Sequence, residues 1–224
     1  MNAPKNILLA LLAGSGVGMA VLAAGTQSPL AMPGGGRFVA EAAGALAVCA
    51  AAVAWADWIS SNDRIFRIAF FTGLAGAVLQ VSHMSLEALG QHVGDRADIT
   101  TGFMAAALLL WGAVGFAVVW RAGRMRDAIF AAGYSATATM IVAVAYGIGL
   151  AWAGYPDETY VRTWPEFIQS GWSDARAFAI ANSFDAVLSH FVAAPVIGSL
   201  LGGIGAGLAF MLRRSRAGSA VRDT

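Results

Sequence analysis

Charge is scarce in this chain: Asp, Glu, Lys and Arg together make up 12% of its 224 residues, about half the share found in an ordinary soluble domain. A water-facing surface of normal polarity is therefore excluded. There is a single cysteine, Cys49, set in an apolar stretch, so neither a disulfide framework nor a thiol redox pair exists. The three histidines allow at most one haem held by two imidazoles. Also missing are a phosphate loop of the G-x-x-x-x-G-K-[ST] form, a serine nucleophile in a G-x-S-x-G frame and a basic cluster interleaved with aromatics. Nucleotide hydrolysis, serine hydrolase chemistry and nucleic-acid binding have no support.

In place of charge stands apolar length. Hydrophobic residues make up 58% of the chain, and about 20 consecutive apolar residues suffice to cross the hydrocarbon core of a bilayer. Such windows recur six times, at residues 6–25, 38–57, 68–87, 102–120, 128–154 and 191–212. The expected fold is all-α: a single polytopic membrane bundle of six transmembrane helices over residues 1–224, with an aromatic-rich loop before the last span. That loop, YPDETYVRTWPEFIQSGWS at residues 155–173, with Trp152 just ahead of it, supplies the Trp and Tyr of an interfacial belt. Ser173 is the expected N-cap of the helix that leads into the sixth span, and Pro195 its expected kink.

Lys and Arg in short loops mark the cytoplasmic side. Lys5 precedes span one; Arg64 and Arg67, then Arg121, Arg124 and Arg126, fill the second and fourth connections; Arg213, Arg214, Arg216 and Arg222 follow span six. The alternate connections carry fewer or balanced charges. Both termini are expected in the cytoplasm, in a bacterial-type inner membrane. The N-terminal stretch also has the form of a secretory signal cut near Ala23, which would leave five spans, but its length and its Gly14, Gly16 and Gly18 suit a packed transmembrane helix. The glycines of GSLLGGIGAGLAF, Gly198 to Gly207, suit close helix packing within the bundle or against a second copy or a membrane-complex partner.

The polar residues inside the spans gather at one level. Gln80, His83 and Glu87 follow one another at three and four residues and so share one face of a helix. Glu41 enters span two at a similar depth, and Asp185 and His190 stand at the start of span six. Ionisable groups within a membrane are costly and functional by default. Glu41, His83, Glu87, Asp185 and His190 form the candidate site at the outer face, with His92, Asp95 and Asp98 in the adjoining loop. Imidazoles and carboxylates are the ligand set of zinc, iron or manganese, and His83 with His190 is the axial pair for one haem. Asp185 and His190, however, lie about 140° apart on an ideal helix.

Three functions follow from this set. The first is a transport-type protein with an ion or small-solute site at the outer face. A second is a metal- or haem-dependent membrane enzyme or electron-transfer subunit, holding a divalent ion or one haem. The third is a non-catalytic subunit of a membrane complex, in which Glu41, His83 and Glu87 only latch the helices in register.

Overall fold

The computed structural model describes residues 2–59, 63–89 and 97–220. Eight α-helices follow in order among these: α1 (Asn2–Ala24), α2 (Gly35–Ile59), α3 (Asp63–Leu89), α4 (Ala97–Ala122), α5 (Met125–Trp152), the short α6 (Glu158–Val161) and α7 (Pro165–Ser170), and α8 (Ala175–Ala220). No strand occurs among the described residues. The six long helices are each long and apolar enough to cross a membrane. His92, Asp95 and the side chain of Asp98 lie outside what is described.

The hub is α5. Its most apolar window is 72% buried, against 28–44% for the other five long helices, and α8, α3, α4 and α1 all pack on it. Hydropathy does not drive helices together in lipid, where tails are as apolar as side chains; close approach of small residues does. Gly198 and Gly202 of α8 face Ala132, Ala136 and Ala128 of α5, while Gly205 faces Gly112 of α4 and Gly115 faces Gly202. These glycines pack within the bundle, as the sequence allows; Gly203 and Gly207 lie off those contacts.

One end of the bundle carries exposed arginines: Arg121, Arg124, Arg126, Arg213 and Arg214. Arg213 ties α8 to α4 there, its Nη1 donating to the Val119 carbonyl at 2.9 Å. The opposite end is closed by an aromatic cap in which Val161, Phe167, Ala175 and Ala179 are buried beneath Trp164, Trp172 and Phe178. Trp172 meets Phe178 edge-on at 5.7 Å and Phe38 of α2 at 6.2 Å. Arg176, only 8% exposed, anchors the cap to α5 by donating from Nη2 to the Ala151 carbonyl. A cation at the carbonyl end of a helix is favoured by the helix dipole, and Glu158 and Asp174 lie near enough to act on the same charge.

One expectation is corrected here. The cap of α8 is Asp174 and not Ser173: its Oδ1 accepts from the amides of Arg176 at 2.8 Å and Ala177 at 2.9 Å. A carboxylate at that place satisfies two orphan N–H groups and meets the positive end of the dipole. The helix that carries the sixth apolar window begins well before residue 191: α8 runs unbroken through Pro195 from Ala175 to Ala220 and lays its first turns under the aromatic cap.

Candidate polar site at the aromatic-capped end

The site begins with the spacing of α3. Phe66, Ala69, Gly73, Gly76, Gln80, His83 and Glu87 recur at three and four residues, the interval that keeps side chains on one stripe of a helix. Near the arginine-rich end the stripe is apolar, with the Phe66 ring 4.6 Å from Tyr134 of α5. Midway it is bare backbone. A Cβ on Gly73 would lie 2.8 Å from the Ser135 carbonyl, and one on Gly76 would lie 2.5 Å from Thr139 Oγ1. The close approach lets Thr139 Oγ1 reach across to the Gly73 carbonyl at 3.0 Å while it also bonds the Ser135 carbonyl at 3.0 Å. Beyond the glycines the stripe turns polar: Gln80 is buried, His83 partly buried and Glu87 exposed.

His83 Nε2 lies 3.2 Å from Glu87 Oε1, with the two side chains 14% and 59% exposed. Its Nδ1 is buried and has no hydrogen-bond partner. The neutral tautomer with hydrogen on Nε2 fits this geometry, because that N–H donates to the carboxylate and leaves the Nδ1 lone pair open. Next to it, Met84 packs against Gly147 of α5, and Ser85 Oγ lies 2.7 Å from Tyr146 OH. Along the stripe the polar groups thus run from the exposed Glu87, through an imidazole with one unused nitrogen, to Gln80 and then to the level of the Thr139 hydroxyl.

The other candidates lie elsewhere. Arg37 Nε donates to Glu41 Oε1 at 2.6 Å on α2, the second carboxylate oxygen of Glu41 is buried without a hydrogen-bond partner, and Asp185 of α8 is close enough to act on the Arg37 charge. His190 turns its Nδ1 to the Ala186 carbonyl of its own helix at 2.6 Å, whereas Asp185 is exposed. Thus α3 packs on α4 and α5 and makes little contact with α2 or α8.

His83 and Glu87 are paired, as their spacing implies, Arg37 holds Glu41, and His190 bonds back to its own helix. The helix that carries His83 packs on α5 and α4 rather than on α2 or α8. Among the described residues no group of three or more His, Cys, Asp or Glu side chains is arranged to hold a metal ion. The His83 and His190 rings stand on helices that barely touch.

Sequence reasoning passed over several residues that matter here. Arg37 stands four residues before Glu41, the interval of a helical ion pair, and Ser135 and Thr139 stand one turn apart in the Ala-rich YSATAT of α5. Both signals were legible. Arg176 gave none, since only the folded cap explains a buried guanidinium. Comparison with protein-family models, with curated proteins and with solved structures finds no match to this chain.

Proposed function

We propose that the chain is a transport-type membrane protein that takes up a proton or small cation at its aromatic-capped end, with His83 as the acid–base group and Glu87 as the carboxylate that meets water. The observation that carries this reading is the His83 ring: paired on Nε2, open and buried on Nδ1, at the mouth of a polar seam. A proton added at Nδ1 makes an imidazolium beside a carboxylate, so the charge enters a partly buried place with its counter-ion already present. Histidine is suited to such a role because its ordinary pKa lies near neutrality. The arginine-rich end, by the positive-inside rule, faces the cytoplasm of an inner membrane together with both termini. On that orientation the site opens outward.

Purified protein in liposomes under an imposed proton gradient tests the reading. Wild type is expected to move protons or a coupled cation, and His83→Gln to lose most of that flux while inserting normally. A wild type that moves neither, or a His83→Gln variant as active as wild type, overturns it.

A subunit role has one observation in its favour. Asn182, Asp185 and Ser189 are exposed on α8 at spacings of three and four, a polar stripe that a partner helix would cover. Failure of the chain to accumulate in the absence of neighbouring proteins would support it.

A further inference from the structure

A second feature of interest lies on the outside of the bundle and is formed by different residues. An apolar groove of about 490 Å³ runs between α5 and α8, lined by Ile129, Pro195, Val196, Ser199, Leu200 and Gly203. Its depth has a local cause. A Cβ on Gly203 would meet nothing nearer than Ile129 at 3.8 Å, and one on Gly207, a turn further on, would meet nothing within 4 Å. The absent side chains leave a channel beside Ile129 where a larger residue would fill it. The volume is that of a site for a small ligand or part of a chain, and its apolar walls suit an alkyl chain.

Charge selects the occupant. Arg126 lies one turn before Ile129 on α5, and Arg214 follows Gly203, Gly207 and Phe210 along one stripe of α8. Both arginines are exposed. Side chains on a helix lean toward its N-terminus, and α5 and α8 run antiparallel, as the contacts of Gly198 with Ala136 and Gly202 with Ala128 require. Arg126 therefore leans out of the groove toward the membrane surface. Arg214 leans back up α8, its guanidinium 5.6 Å from the centre of the Phe210 ring. Both cations stand beyond the Gly203 end of the groove, on the arginine-rich side of the bundle, where a phosphate with its chain running into the groove would sit.

We propose that this groove holds one acyl chain of an anionic glycerophospholipid, with its phosphate between Arg126 and Arg214. The site is independent of His83 and of the transport reading. Native mass spectrometry of the full chain, equilibrated with equal amounts of phosphatidylglycerol and phosphatidylcholine bearing identical acyl chains, provides the test. Wild type retains one phosphatidylglycerol in preference to phosphatidylcholine. Since each basic residue at a membrane surface favours anionic lipid by roughly fivefold, the Arg126→Ala, Arg214→Ala double variant loses on the order of 25-fold of that preference. Gly203→Leu fills the groove without a backbone clash, and retention of both lipids falls. Equal retention of the two lipids by wild type, a preference that survives in the double variant, or undiminished retention by Gly203→Leu overturns the proposal.

Discussion

His83 and Glu87 meet at 3.2 Å one helical turn apart, yet the first side chain is 14% exposed and the second 59%. The pair therefore straddles the boundary between the bundle interior and its outer surface, and its two members respond differently to replacement. Glu87→Gln removes the charge from a largely exposed hydrogen bond to the His83 ring and lowers stability by less than about 1 kcal/mol. His83→Gln keeps polar atoms in the seam but removes the titratable group, so proton flux falls on the order of a hundredfold, the usual scale for losing a positioned acid–base group. Flux in liposomes and thermal unfolding of the same two variants distinguish the roles.

The α3–α5 contact makes a sterically defined prediction. Gly73→Val places a Cβ 2.8 Å from the Ser135 carbonyl and forces the helices apart, at a cost of roughly 1–3 kcal/mol. Gly44→Ala, where nothing lies within 4 Å, leaves stability unchanged or raises it by up to about 1 kcal/mol, the helix propensity of alanine over glycine. Midpoints of thermal denaturation in detergent measure both. Equal effects at the two positions would contradict the packing described.

The start of α8 separates two candidate caps. Asp174→Ala removes the acceptor of two amide hydrogen bonds and costs about 1 kcal/mol, whereas Ser173→Ala has almost no effect. The same denaturation assay applies.

Arg176→Met tests the tether between the aromatic cap and α5. The variant keeps most of the aliphatic volume but loses the donor to the Ala151 carbonyl. Limited proteolysis within residues 155–174 is then expected to accelerate several-fold, while the packing of α3 on α5 stays intact. Unchanged cleavage would mean that the apolar contacts of Phe167 and Trp172 hold the cap by themselves.

Orientation has a direct reading. A reporter fused after Thr224 is expected to be active only in the cytoplasm, as the arginines at that end require; periplasmic activity reverses the topology and with it the side on which His83 opens.

The six spans were legible because length and hydropathy alone mark a helix that crosses lipid. The rank of α5 among them was not. Its residues are no more apolar than those of α1 or α4, and centrality depends on which small residues find a neighbour. The polar site poses the same question. Spacing along α3 was enough to pair His83 with Glu87, since both stand on one helix. Whether Glu41 or Asp185 joins them depends on which helices adjoin, and depth in the membrane carries no information about that.

The seam between α3 and α5 also bears on how the chain is made. Synthesis delivers α3 two long helices ahead of α5, so Gln80 and His83 reach the lipid before the surface that will shelter them exists. Until α5 follows, those groups have only α4, the insertion machinery or water at the membrane edge for company. Release of the third, fourth and fifth helices into the bilayer together would keep that stripe covered, whereas release of the third alone would leave it facing oil.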